Sequence, residues 1–356
     1  MRALVVVCRY LGDTLMATPL ARALADAGHE VDWLVAPGTE AMIQDQSFAH
    51  AVHVLEPKAA ATWTMLRRLR RRYDIACVTT PSDRPMLVAL AAARQVFALD
   101  YARAQDRWKR TVSKASCPYD GESHMASYAF DLARLAGVTP CRDVGIDWTV
   151  GDATHVQAQL GWDADTRYVH LHPFARWGYK HWPQAGWQAL ITRLLDAGLS
   201  IAITAGPQER HAAEALTKGL PDSTVRVLAG ELSWPQLACL SRQAAGYIGL
   251  DTANTHLTAG TGTPTLALFG PTDPRIWGPW PNGFAGRSPY RRAVAGGIQQ
   301  VGNITLVQRE FGCVPCQLEG CDRHRESRSA CMDTLDVEQV WRAWQGMTAF
   351  LQPPHD

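Results

Sequence analysis

An aspartate just past the first apolar run, a lysine just past a later one, and four closely spaced cysteines are the residues best placed to do chemistry. Asp13 follows the run Ala3 to Cys8 within Arg9-Tyr10-Leu11-Gly12-Asp13-Thr14. A carboxylate at the carboxyl end of a buried strand can take a proton from a bound hydroxyl. Asp13 also stands where a helix pattern begins, so a plain capping role is the alternative. Lys180, in Lys180-His181-Trp182-Pro183, follows the strand-like run Tyr168 to Leu171 and the turn His172-Pro173-Phe174-Ala175. A compact ammonium suits a phosphate, although a single lysine can equally be a solvated surface group. In Tyr247 to Pro274 an apolar run stops at Gly249, and Asp251-Thr252-Ala253-Asn254 feeds a helix-like segment carrying His256. Small polar residues at a helix start offer backbone N–H groups and a positive dipole end to an anion. Asp251 or Thr252 acting only as an N-cap explains the same residues without a ligand.

The cysteines divide into two groups. Cys8, Cys77, Cys117, Cys141 and Cys239 are scattered and read as small hydrophobes. Cys313, Cys316, Cys321 and Cys331 follow the spacing C-x2-C-x4-C-x9-C. In a reducing compartment such spacing suggests thiolate ligation of a structural Zn or Fe, with His324 as a spare nitrogen ligand. Free or redox-linked thiols are the alternative. The segment from Gly312 to Arg328 has no apolar periodicity, so a metal would supply the order that a core does not.

Strands alternating with helices must position these groups. Candidate strands lie at 3–8, 31–35, 52–55, 75–79 and 95–98, then at 168–171, 199–204, 225–227, 246–249 and 265–269. Helical patterns fall near 15–27, 60–72, 83–93, 123–136, 184–197 and 336–350. The first strand, helix and second strand make a βαβ unit without a G-x-G-x-x-G fingerprint or a P-loop. Such alternation implies parallel sheets. A chain of 356 residues exceeds what one core usually serves, and Gly and Pro cluster with charges between Val138 and Asp165, where the join is expected. The net charge of +1 argues against a nucleic-acid binder. No apolar run is long enough to span a bilayer, and the N-terminal run is too short for a signal peptide, so a cytoplasmic protein is expected.

Taken in order, these segments resemble the glycosyltransferase family 9 pattern of the ADP-heptose:lipopolysaccharide heptosyltransferases. The matching residues are Leu11-Gly12-Asp13 with Thr18-x-Pro19, Lys180-His181-Trp182-Pro183, Asp251 to His256, Gly262-Thr263-Pro264, and Leu268 to Pro274. Arg9-Tyr10, Ala253 and Phe174-Ala175-Arg176 depart from the usual pattern at positions near donor or acceptor.

The resemblance implies an α/β protein of GT-B type, with two Rossmann-like domains whose parallel sheets face a central cleft. Residues 1–155 would bind the acceptor and residues 156–335 the nucleotide sugar. Residues 336–356 would form a helix crossing back to the first domain. It implies inverting transfer of heptose from ADP-L-glycero-D-manno-heptose to a lipopolysaccharide inner-core sugar. Asp13 would be the base. Lys180 and the N–H groups after Asp251 would stabilise charge on the diphosphate, so no catalytic cofactor is required. Phe174, Ala175, Lys180, Glu209, Asp251, Thr252, Ala253, Asn254 and His256 would line the donor site, and Arg9, Tyr10, Gly12 and Arg103 the acceptor site. Arg107, Lys109 and Arg110 add positive charge for acceptor phosphates or carboxylates. Arg67-Arg68-Leu69-Arg70-Arg71-Arg72 reads as a solvated helix end, or as a patch for anionic lipid and peripheral attachment to the inner face of the inner membrane. Two other functions fit: a protein O-heptosyltransferase of the autotransporter-modifying type, and a catalytically silent sugar-nucleotide-binding subunit.

Overall fold

The computed structural model describes residues 1–349, in two compact units: Met1–Asp147 with Gly283–Ser288, and Trp148–Asn282 with the chain from Pro289 onward. The expected boundary at 155/156 therefore falls inside a helix, Val150–Leu160, that belongs to the second unit. Thr149 starts this helix with a capping box, its hydroxyl accepting from Asp152 N while the Asp152 carboxylate accepts from Thr149 N.

In the first unit the strands are β1 (Arg2–Val7), β2 (Glu30–Val35), β3 (Ala51–Val54), β4 (Tyr73–Val78), β5 (Ala93–Asp100) and β6 (Ala115–Pro118). They form one parallel sheet in the order β3-β2-β1-β4-β5-β6. Ala3 to Val7 are fully buried because a central parallel strand is covered on both faces. Strand β6 has no counterpart in the sequence reading. Its Ala-Ser-Cys-Pro composition carries no β signal, and the edge of β5 recruits it.

The second unit contains β7 (Tyr168–His172), β8 (Ser200–Ala205), β9 (Val225–Ala229), β10 (Gly246–Leu250), β11 (Thr265–Phe269), β12 (Ile298–Val301) and β13 (Ile304–Gln308). Their order is β12-β13-β11-β10-β7-β8-β9. Counted from its own first strand, this sheet repeats the topology of the first unit and adds the antiparallel β12 at one edge. Strands β12 and β13 were also missed, since they form a tight antiparallel hairpin in a chain otherwise read as alternating strand and helix.

Trp182, Trp187, Leu190, Ile201 and Ile248 build the second core. The C-terminal helix Val337–Ala349 joins that core through Val340, Ala343, Trp344 and Met347. Its described part is thus packed on the second unit. Phe350 and the residues after it lie outside the described residues.

A polar knot closes the amino ends of the first sheet. Asp32 accepts from Tyr73 Oη at 2.6 Å, pairs with Arg2 at 3.1 Å, and meets His50 Nδ1 at 2.9 Å. Glu30, Asp32 and His50 form the one three-residue group among the described residues with metal-ligand spacing. The Arg2 guanidinium already lies on both carboxylates, so the charge there is met. Burial raises the Asp32 pKa, but hydrogen bonds from His53, Tyr73 and His50 and the charge of Arg2 outweigh it and hold the carboxyl below the ordinary range. A depressed folded-state pKa gives stability that is present above the unfolded value, roughly pH 4, and lost as pH falls below it. Asp32→Ala is therefore expected to cost about 2–4 kcal/mol near pH 7. Urea denaturation of both proteins should show that difference narrowing as pH is lowered toward ~2.

Candidate functional site

Parallel sheets bind ligands outside the carboxyl ends of their strands, where the strand order reverses. In the second unit that point lies between β7 and β10. After β7 a single 3-10 turn, Gly178–Lys180, carries Lys180. Its ammonium donates to Asp251 Oδ2 at 2.7 Å and to the Asp251 carbonyl at 3.2 Å. Thr272 Oγ1 donates to the same carboxylate oxygen at 2.7 Å. Burial raises the Asp251 pKa, but Lys180, His256 and Thr272 together bring it below its ordinary value. An ammonium has three N–H groups, so one remains for a ligand oxygen.

The helix Ala253–Gly260 starts directly after Thr252 and turns its positive end to the same place. Asn254 Oδ1 and His256 Nδ1 are buried there without a hydrogen-bond partner among the described residues. Burial pushes the His256 pKa down to about 4, with Asp251 opposing and Lys180 reinforcing the shift, so the imidazole is neutral near pH 7. A lysine, a helix start and unsatisfied polar atoms at one strand end make a cradle for an anion bearing hydroxyl or amine groups.

Beneath this cradle runs a polar chain that the sequence reading missed. Asn254 Nδ2 lies 2.9 Å from His172 Nδ1, which is 3.0 Å from Thr204 Oγ1. Thr204 meets His170 Nε2 at 2.7 Å, and His170 Nδ1 meets Ser241 Oγ at 2.9 Å. Burial drives His170 well below its ordinary pKa and His172 to about 4, so both rings are neutral. The signal was present: histidines two apart in a strand share one face.

In the first unit the equivalent reversal lies between β1 and β4. Asp13 sits in the short helix Leu11–Met16 that follows β1, beside Thr79 and Thr80 after β4 and Leu99 in β5. Its Oδ2 accepts from Tyr10 N at 3.4 Å, a long capping bond, and Oδ1 has no hydrogen-bond partner among the described residues. Arg9 is 3.7 Å from that oxygen. Burial raises the Asp13 pKa, and Arg9 and the backbone bonds only partly offset it. A buried carboxylate with a free oxygen and a raised pKa is suited to accept a proton near neutral pH. Arg9, Asp13 and Arg103 come together around Tyr101, whose phenol is raised by burial, lowered by Arg9 and raised by Asp13. Tyr10 lies under the Arg9 guanidinium, and Arg103 is 5.3 Å from the Tyr101 ring centre.

Other expected residues have different duties. Lys109 is buried against Asp106 at 2.5 Å, Asp83 at 2.8 Å and the Pro81 carbonyl at 2.7 Å, which corrects its reading as a ligand cation. Arg110 pairs with Asp100 at 3.2 Å. The side chains of Phe174 and Ala175 belong to the apolar core, because the apolar cluster around Trp182 draws them inward. The backbone of Ala175 meets His181 Nε2, its N at 3.3 Å and its carbonyl at 2.7 Å. Glu209 caps its own turn, accepting from Gly206 N at 2.7 Å. Arg67 and Arg68 end the helix Ala59–Leu69, with Arg70 to Arg72 exposed beyond it. The four clustered thiols share one electrostatic neighbourhood. Burial, followed by Cys316, Cys321 and Cys313, pushes Cys331 up to about 12. Their sulfur atoms are not gathered into a three-ligand group as described.

Two Rossmann-type units, one with a carboxylate and one with an anion cradle at the reversal point of its sheet, make a fold of GT-B type, the fold of the solved heptosyltransferases it resembles. The profile of glycosyltransferase family 9 (heptosyltransferase) matches residues 62–286, more than half of the chain. Lipopolysaccharide heptosyltransferase 3 of Escherichia coli is 28% identical over 301 residues, covering 77% of this chain and 85% of that protein. E. coli ADP-heptose lps heptosyltransferase II superposes with a TM-score of 0.74 at 17% identity, covering 99% of this chain and 100% of that one. E. coli heptosyltransferase WaaC with ADP gives 0.69 at 20% identity, covering 98% and 100%. The chain belongs to glycosyltransferase family 9, the heptosyltransferases.

Removing the ammonium leaves Asp251 buried without its cation and takes the remaining N–H out of the cradle. Lys180→Ala is expected to weaken ADP binding by about 10-fold or more and to lower turnover with it. Calorimetric titration with ADP, paired with initial rates, checks this. Unchanged affinity together with unchanged turnover would take Lys180 out of the site.

Proposed function

We propose that this protein transfers heptose from ADP-L-glycero-D-manno-heptose to a sugar of the lipopolysaccharide inner core, with inversion at the anomeric carbon. The carrying observation is the pair of strand-end sites: a desolvated carboxylate with an open oxygen, and a lysine-charged helix start with unsatisfied polar atoms. Asp13 accepts the proton of the acceptor hydroxyl as its oxygen bonds to the anomeric carbon and ADP departs from the opposite face. Lys180 and the N–H groups at the start of Ala253–Gly260 take up the charge growing on the diphosphate. Asn254 and His256, each with a polar atom lacking a partner, bind hydroxyl or amine groups of the nucleotide sugar together with Asp251, Thr252, Ala253, Glu209 and the backbone of Phe174 and Ala175. Arg9, Tyr10, Gly12 and Arg103 face the acceptor. Neutralisation by lysine and helix end leaves no step that calls for a divalent cation.

The names of the relatives support donor and acceptor class, and two of them carry ADP in their description. A lipid-borne acceptor places the work in the cytoplasm at the inner leaflet, and Arg67 to Arg72 are the cations available to meet that surface. No described helix is long and apolar enough to cross a membrane.

Asp13→Asn should lower turnover by ~10²–10⁴ while ADP binding persists. Because the ionised form is the disfavoured one in the fold, the variant's melting temperature should hold or rise at neutral pH. The wild-type rate should fall as pH drops through a value above the ordinary carboxylate range, since the base must be ionised. Arg9→Gln should move that limb to higher pH, because the lost cation had favoured the carboxylate. Rates measured with ADP-heptose and core acceptor, by mass spectrometry across pH, test all of this. Near-normal turnover of Asp13→Asn would end the assignment.

A structural Zn or Fe at Cys313, Cys316, Cys321 and Cys331 is part of the same proposal, in support of the fold and not of the transfer step. Elemental analysis of protein prepared without metal-affinity resin should give about one ion per chain. Cys316→Ser should lower metal content and melting temperature more than activity per molecule. Trace metal with four titratable thiols would leave them as ordinary reduced cysteines.

A further inference from the structure

The cysteine-bearing segment is the part of the second unit that the transfer chemistry does not use, yet it is fastened to both loops that build the anion cradle. Arg325 O accepts from Gly178 N at 2.9 Å, at the head of the turn that carries Lys180. The approach is so close that a Cβ on Gly178 would meet Glu326 O at 3.0 Å and Ser327 O at 3.2 Å. The Arg325 guanidinium lies 4.6 Å from the Trp177 ring centre, one residue before that turn. On the other side, Gln317 N donates to Pro271 O at 2.8 Å. Gln317 makes this bond from a left-handed φ of 58°, a conformation that disfavours a side chain. Pro271 is flanked by Gly270 and Thr272, whose carbonyls both accept from Gln308 Nε2, at 2.7 and 2.9 Å. Against Gly270 lie Met332 and the Cys331 sulfur, at 2.7 Å and 3.7 Å from where its Cβ would stand. Thr272 in turn holds Asp251, the partner of Lys180.

We propose that the segment Cys313–Cys331 is a brace of the nucleotide-sugar site, with Gly178 and Arg325 as positioning residues for Lys180 and Gln317 as the one for Thr272. The inference rests on the reading of that site as the binding place of an ADP-type ligand. The brace reaches the cradle through its supporting loops. Its exposed thiols, Cys313 and Cys321, therefore sit on a lever: whatever fixes or distorts the segment is felt at Lys180. This gives the clustered cysteines a role in ligand affinity beyond local order.

The test uses Gly178→Ala, which pushes the brace away by its backbone, and Arg325→Ala, which removes the Trp177 contact. Each variant should raise the ADP dissociation constant about 10-fold, because misplacement of a charged group by a fraction of an ångström is costly. The double variant should lose less than the product of the two, since both act through one contact. Arg325→Lys, still a cation over Trp177, should recover part of the loss. Hydrogen exchange gives a readout independent of ligand: amides of 178–180, Gly270 and Thr272 should exchange faster in Gly178→Ala and Arg325→Ala, with melting temperatures little changed. Unchanged exchange in those loops overturns the brace, as does unchanged ADP affinity in both variants beside a wild type that binds ADP. A wild type that binds no ADP but shows the exchange change keeps the brace and removes the reading of the site.

Discussion

An ionised carboxylate cannot sit at the end of a buried apolar strand without a partner, and the way this is met separates the two halves of the protein. Asp251 is neutralised: Lys180 at 2.7 Å and Thr272 at 2.7 Å hold it charged, and it anchors them. Asp13 is not. Arg9 stands 3.7 Å away with nearly half its side chain in solvent, so burial wins and the pKa rises. One sheet topology thus presents two aspartates at strand ends with opposite electrostatics. Two like groups pushed apart in pKa by their surroundings can take different roles: a fixed counter-ion in one unit and, in the mechanism proposed above, a proton acceptor in the other.

The repetition of topology explains why both sites are where they are. Each sheet begins in its middle, builds outward in one direction, then returns to the other side of its first strand. The crossover helices on either side of that reversal diverge and leave a crevice at the carboxyl edge. In the first unit β1 and β4 flank it; in the second, β7 and β10. Asp13, Lys180 and Asp251 are each the chemistry-bearing residues that follow one of these four strands.

Polar order below the surface keeps the second cradle in shape. His170, His172, Thr204 and Ser241 are all buried or nearly so, and each satisfies a neighbour. Such chains are costly when incomplete and rigid when complete. This one ends at Asn254, whose carbonyl oxygen is left over. Asn254 Oδ1 and His256 Nδ1 are thus left over together at the place read as a ligand site, and the support behind them does not depend on the ligand.

Periodicity and strand-end residues were enough to locate most strands of both sheets and Asp13, Lys180 and Asp251 as the groups of interest, because buried parallel strands impose long apolar runs and leave polar residues at their ends; strands β6, β12 and β13 carried no such long runs. Three things were decided by tertiary structure alone. Charge state was one: Asp13 and Asp251 look alike in sequence, and only the distance to a cation tells them apart. Availability was another. Lys109 reads as a free cation until Asp83 and Asp106, distant in the chain or a turn away, are seen to close on it. The third was attachment. The spacing of Cys313 to Cys331 speaks of thiol chemistry, but a segment without apolar periodicity carries no sign of what it packs against. That it grips the loops of Gly178 and Pro271 is a matter of backbone hydrogen bonds, which every residue can make and no side-chain pattern records.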